Sequence, residues 1–322
     1  MAAESETHAM AFASSDGFRL EKSNSQNRSV PLSFFCNKCV MILSQADRHT
    51  ILIETTSLKD IIMQRRFLSV AIAAGALFAY SNAMAQTAET APAQKPAAAK
   101  NVVLVHGLYA DASSWSEVIP LLQKAGLHVT AVQNPLTSLA DDAEATRRIL
   151  ALQDGPTVLV AHSYGGMVIT QAGSDPKVSA LVYVAARGPD ANEDYGALAA
   201  KFPAAPASAG LIKSADGFAQ LSEQAFLHDF AGDLDSAKAR TLYAVQGQAS
   251  QSIFSARTTQ AAWHVKPTYY AVSTEDRTIN PDFQRFMAKR MHAQTIEVKG
   301  SHLALISHPQ EIATLIEKAA GL

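Results

Sequence analysis

The 322-residue sequence predicts an α/β fold, a doubly wound and mostly parallel sheet of about six strands with a helical lid inserted after the fourth strand. Three observations carry that prediction. Largely apolar stretches at Asn101–Val105, Thr157–Ala161 and Val178–Ala185, continuous over Val158–Ala161, fit strands buried on both faces of a parallel sheet. Helical patterns alternate with those runs, as right-handed β–α–β crossovers require. The chemically suggestive residues all fall just past the carboxyl ends of strands, where sheets of this kind form their sites.

The first strand, Asn101–Val105, ends at His106-Gly107. Ser113, Ser114 and Trp115 open a helix expected to run to about Ala125, with Ser113 or Ser114 as its N-cap. His128–Val132 is the second strand. Ser138 starts a helix through Leu152, with Leu139, Ala143, Ile149 and Leu152 as its apolar stripe. Asp141, Asp142 and Glu144 suit the positive end of its dipole. The third strand runs into a helix over Tyr164–Ala172, and Val178–Ala185 is the fourth strand. Thr268–Ser273, a helix over Asp282–Met291, the strand Thr295–Val298 and an amphipathic helix over Pro309–Ala320 complete the alternation.

The segment at about 187–264 breaks the pattern. No clear strand is legible there, and helical pieces are expected around Glu193–Phe202, Gly217–Phe230, Asp235–Val245 and Phe254–Ala262. An insertion in that place reads as a lid. Its Phe202, Leu211, Phe218, Leu221, Phe226, Leu227, Phe230, Tyr243 and Phe254 divide between a lid core and an apolar pocket lining.

The chain before the domain reads differently. Residues 1–62 form an upstream extension, and Met1 to Thr50, rich in Ser, Asn and charge, has no sustained period of 2 or 3.6. Met63-Gln-Arg-Arg-Phe67, the uncharged stretch to Tyr80 and Ala83-Met84-Ala85 are the ordered parts of a secretory signal peptide over 63–85. The apolar run is shorter than the roughly 18 residues of a membrane span, so no stable anchor is expected after cleavage. Met63 is therefore read as the true initiator, with a mature chain starting near Gln86 and exported to the periplasm or beyond. Residues 86–100, with Pro92 and Pro96, read as a linker. Cys36 and Cys39 form one C-x-x-C, half a zinc site at most. A net charge of −2 carries no basic excess, which argues against nucleic acid and anionic membrane partners. No metal-ligand cluster, phosphate loop or dinucleotide fingerprint is legible, so no cofactor is expected.

The chemistry centres on Ala161-His162-Ser163-Tyr164-Gly165-Gly166, which follows a buried strand and precedes a helix. This is the nucleophile-elbow pattern with Ala161 in place of its first glycine: a sharp turn exposes the serine Oγ and sets the next N–H at a helix start. A serine hydroxyl is a weak nucleophile and needs a base, which an acid must orient. His302, after the last strand, is the base candidate. Asp276, after Thr268–Ser273, is the acid candidate, with Glu275 and Asp190 as alternatives. His162 is expected to point away from the serine and His106 to brace its loop. His264, His292 and His308 read as surface or helix-end residues. The charge developing on a substrate carbonyl needs donors, and the Leu108 and Tyr164 N–H groups are placed to supply them.

With those motifs in hand, residues from about 100 to 322 resemble the α/β-hydrolase superfamily. They are most similar to its small single-domain branch of bacterial esterases, plant methylesterases and hydroxynitrile lyases. His106-Gly107 with Trp115, Pro120-Leu-Leu122 and Val129-Thr130-Ala131 carries the first part of the likeness. Asp276-Arg-Thr-Ile279 with Pro281, and Ser301-His302, carry the last. The resemblance implies Ser163 as nucleophile, His302 as base, Asp276 as orienting acid, and an oxyanion hole of the Leu108 and Tyr164 N–H groups. It also implies a small-molecule ester as substrate. Hydroxynitrile lyases of that branch carry a lysine directly after the catalytic histidine; here that position is Leu303, which favours hydrolysis.

Overall fold

A computed structural model describes residues 98–322 and the backbone of two short antiparallel strands, Ser33–Cys36 and Cys39–Ile42. The expected signal peptide and nearly all of the expected linker lie outside the described residues, as do the Cys36 and Cys39 side chains.

Residues 98–322 belong to one compact unit built on a six-stranded sheet. Its strands are β1 (Asn101–Val105), β2 (His128–Val132), β3 (Thr157–His162) and β4 (Val178–Val184), joined later by β8 (Thr268–Ser273) and β9 (Gln294–Val298). The spatial order is β9-β8-β4-β3-β1-β2 and every neighbouring pair is parallel. β1, β3 and β8 are buried at every residue, whereas the edge strands β2 and β9 each bury only their last residue fully. That division explains why the central strands read as largely apolar stretches and the edges carry His128, Thr130 and Glu297. The chain leaves β1 towards β2 and returns to place β3 on the other side. The crevice at this reversal, beyond the carboxyl ends of β1 and β3, is where such sheets bind ligands.

Helices cover both faces: α1 (Ile119–Lys124), α2 (Leu139–Ala151), α3 (Gly165–Ala172), and after the lid α7 (Pro281–Arg290), α8 (Ala304–Ser307) and α9 (Pro309–Ala320). The first of them corrects the sequence reading. Ser113 sits inside a separate 3-10 turn, Ala112–Trp115, whose cap is Asp111 accepting the Ser113 N–H at 2.7 Å. In α2 the cap is Ser138 as expected, but Leu152 is 78% exposed and leaves the apolar stripe because the helix has ended before it.

The lid between β4 and β8 is less helical than expected. It holds α4 (Tyr195–Ala199), then β5 (Leu211–Lys213), β6 (Phe218–Leu221) and β7 (Ala249–Ser250), which make a small antiparallel sheet. Phe218–Leu221 is therefore a strand, not a helix start. The reason is local: Gly217 takes φ +89 after Asp216, and a D-G pair at such a turn reverses the chain into a hairpin. α5 (Glu223–Ala225) runs on as one π turn through Phe226–Phe230, and α6 (Ser236–Ala244) follows. The helix expected over Phe254–Ala262 is replaced by two 3-10 turns, Gln251–Ser255 and Ala262–His264.

Candidate active site

β3 delivers Ser163 into a left-handed conformation, φ +53, that a residue with a side chain adopts only under constraint. The constraint is visible. The Ser163 N–H donates to Val184 O at 3.2 Å, and the Ser163 carbonyl accepts from Gly166 N at 3.0 Å and Arg187 N at 2.9 Å. Two glycines let the surrounding backbone close in. A Cβ on Gly166 would sit 2.0 Å from Arg187 O, and one on Gly107 would sit 2.6 Å from Ser163 Cβ. The turn after β1 is thus pressed against the serine.

The structure brings Ser163, His302 and Asp276 together. The Ser163 Oγ lies 2.8 Å from His302 Nε2, and His302 Nδ1 lies 2.7 Å from Asp276 Oδ2. His302 is fully buried, and Ser163 and Asp276 are each 5% exposed. Asp276 Oδ1 accepts the N–H groups of Thr278 (2.7 Å) and Ile279 (2.9 Å), while Oδ2 also accepts from Gln284 Nε2 at 2.7 Å. A carboxylate so surrounded keeps one orientation. Neither the Leu108 nor the Tyr164 N–H, the expected oxyanion donors, donates a hydrogen bond among the described residues.

The other candidates are engaged elsewhere. Glu275 faces Lys299 at 3.8 Å on the surface. Asp190 pairs with His264 at 3.0 Å, so His264 has a partner that the sequence reading did not give it. His308 lies 3.4 Å from Glu311. His106 braces its loop as expected, with Nδ1 2.8 Å from Gly107 O and Nε2 accepting the Asn134 N–H at 2.9 Å. Burial holds its pKa below the ordinary histidine value. His162 points away from the serine hydroxyl, its Nε2 2.9 Å from the His302 carbonyl, and its ring packs 4.6 Å from the His302 ring. Burial, reinforced by the neighbouring His302 ring, holds the His162 pKa far below the ordinary value.

The sequence signature of the Alpha/beta hydrolase family matches residues 102–315. The chain belongs to the alpha/beta hydrolase family. It is 26% identical to methylesterase 8 of Arabidopsis thaliana over 66% of this chain and 86% of that protein. It is 27% identical to polyneuridine aldehyde esterase of Rauvolfia serpentina over 66% of this chain and 92% of that protein. The alpha-hydroxynitrile lyase of Arabidopsis thaliana is 24% identical over 65% of this chain and 93% of its own. The crystal structure of polyneuridine aldehyde esterase superposes with a TM-score of 0.60 at 23% identity, covering 69% of this chain and 99% of that one.

Three supports of this alpha/beta hydrolase site escaped the sequence reading. Gln284, fully buried on α7, donates to Asp276 Oδ2 and to Ile279 O (2.9 Å) and accepts the Ser273 N–H at 3.0 Å. Its spacing of eight residues beyond Asp276 places it one α7 turn inward of the Asx-capped start, a signal too generic to single out. Asp142, expected to serve the dipole of α2, is fully buried and accepts from Tyr164 Oη at 2.7 Å and from the Leu136 N–H at 2.8 Å. Burial outweighs those donors and pushes its carboxyl pKa up. Asp233 of the lid accepts from the Ser301 N–H (2.9 Å), the Ser301 hydroxyl and the Ser307 hydroxyl (2.7 Å), and so holds the His302 loop. Phe230, from the same part of the lid, packs its ring 5.0 Å from that of His302.

Proposed function

We propose that this hydrolase cleaves small carboxylic esters through an acyl-enzyme intermediate on Ser163. The observation that carries the reading is the continuous chain Ser163 Oγ, His302 Nε2, His302 Nδ1, Asp276 Oδ2 at 2.8 and 2.7 Å. In the first step Ser163 Oγ attacks the ester carbonyl carbon and its proton passes to His302 Nε2. Asp276 holds the Nδ1–H and stabilises the imidazolium. The carbonyl oxygen becomes an oxyanion facing the Leu108 and Tyr164 N–H groups. Collapse breaks the C–O bond, and His302 returns the proton to the leaving alcohol. Water, deprotonated by the same nitrogen, then releases the acid and regenerates Ser163.

Apolar side chains support a small organic substrate. Phe230 packs on the His302 ring, and Tyr109 and Phe226 pack on Phe230. Leu303 is buried and offers no group for acid–base work on a cyanohydrin, which favours hydrolysis over the lyase chemistry of one relative. Hydrolysis of p-nitrophenyl acetate, butyrate and octanoate tests the reading. A burst of nitrophenol stoichiometric with enzyme is expected, with turnover lowered by roughly 10⁴-fold or more in Ser163→Ala. Undiminished turnover in that variant would refute it. Export through the signal peptide at 63–85 belongs to the same proposal. Amino-terminal sequencing of the native protein should start near Gln86, and a mature chain that retains residues 1–62 would contradict it.

A further inference from the structure

Arg187 lines a cleft of about 440 Å³ with Tyr195, Phe202, Ile279 and Phe283, between the lid and the loop that carries Asp276. Its backbone is fixed at the nucleophile, since the Arg187 N–H donates to Ser163 O at 2.9 Å. Its guanidinium lies 5.0 Å over the Tyr195 ring. No carboxylate lies within ion-pair distance of it among the described residues. Its Nε is buried without a hydrogen-bond partner. None of the polar neighbours in the cleft is hydrogen-bonded to it: the Ser208 and Thr278 hydroxyls bond Ala205 O and Asp229 O, and the Asn280 Oδ1 accepts the Asp282 and Phe283 N–H groups. The nearby Asp276 carboxylate already accepts from His302, Gln284 and two backbone N–H groups. A buried donor on a charged group without an acceptor is costly, and arginine presents a fork shaped for a carboxylate.

We propose that Arg187 is the carboxylate-recognition residue of this site, and that the preferred substrates are esters bearing a free carboxylate, such as monoesters of short dicarboxylic acids. The inference rests on the esterase reading above. The substrate carboxylate pairs with the guanidinium, its methylenes lie along Ile279, Phe202 and Phe283, and the ester end reaches Ser163. The Arg187 charge is also felt on the reacting side. Burial drives the Tyr109 hydroxyl pKa up to about 12, and Arg187 opposes that rise, as it does at Tyr164 and Tyr195.

The test compares monomethyl succinate, glutarate and adipate with methyl butyrate, valerate and hexanoate at pH 7.5, in the wild-type protein and in Arg187→Gln. In the wild type at least one diacid monoester should exceed its neutral counterpart in kcat/KM. Arg187→Gln should lower that ratio by roughly 10- to 100-fold, the size of one charged hydrogen-bonded pair. A ratio that survives the substitution, or no diacid preference at all, would overturn the proposal. Calorimetry of glutarate on Ser163→Ala and on Ser163→Ala/Arg187→Gln separates the two readings. Binding lost with Arg187 supports the carboxylate site even if no ester is turned over, and equal or absent binding in both refutes it.

Discussion

Gln284→Met removes three hydrogen bonds while nearly conserving volume. The side chain is fully buried and joins Asp276 Oδ2 (2.7 Å), Ile279 O (2.9 Å) and Ser273 N (3.0 Å). Two backbone groups are then left buried without partners, at about 1–3 kcal/mol each, so unfolding free energy should fall by about 2–6 kcal/mol. The third bond is to an ionised acceptor and is worth about 1.5–3 kcal/mol. It fixes the same oxygen that holds His302 Nδ1. Its loss should lower kcat for p-nitrophenyl butyrate by roughly 10- to 100-fold with KM unchanged, because the carboxylate loosens without touching substrate. Urea denaturation and steady-state kinetics on one preparation separate the two effects. A destabilised variant with kcat within about twofold of wild type would show that Gln284 serves only the fold. Unchanged stability would refute the buried network itself.

Two other perturbations follow from the geometry. Gly107→Ala places a methyl 2.6 Å from Ser163 Cβ, so backbone must shift; overpacking of about 1–3 kcal/mol and a loss of activity of roughly 100-fold or more are expected. A fully active variant would mean that the turn after β1 is not pressed against the nucleophile. Lowering the pH should destabilise the protein through His106 and His162, whose folded pKa values lie below the ordinary 6.5 because both rings are buried. Below about pH 6.5 the unfolded chain binds more protons than the native one, so this stabilisation is complete above that pH and lost as pH falls. Each histidine contributes a slope of up to about 1.4 kcal/mol per pH unit in that window. Urea midpoints between pH 7.5 and 5 check the sign. A slope unchanged in His106→Gln would remove that residue from the effect.

The sheet and the site were legible to different depths. The central strands announced themselves because burial on both faces leaves mostly apolar residues there, with polar ones such as Asn101, Thr157 and Ser273 at their ends. Ser163, Asp276 and His302 could be chosen because each follows a strand end, and the parallel order then brings these ends to one edge. The lid was read worst. β5, β6 and β7 are so short that propensity cannot separate them from helix, and only Asp216-Gly217 marked the hairpin. Asp111 outcompeted the serines as a cap through a contact two residues away. Asp142 looked like a dipole residue because its partners, Tyr164 and Leu136, come from other elements. Asp233 and Gln284 were invisible for the same reason: their meaning lies in what tertiary packing places against them. Where function depends on such long-range partners, periodicity and motif spacing carry little information about it.

Reaction of the purified protein with an aryl phosphonate, followed by intact mass and peptide mapping, tests the central claim most directly. The account predicts one adduct, on Ser163, formed in step with loss of ester hydrolysis and slowed by roughly 10³-fold or more in His302→Ala. An adduct on another residue, or equal labelling rates with and without His302, would contradict it.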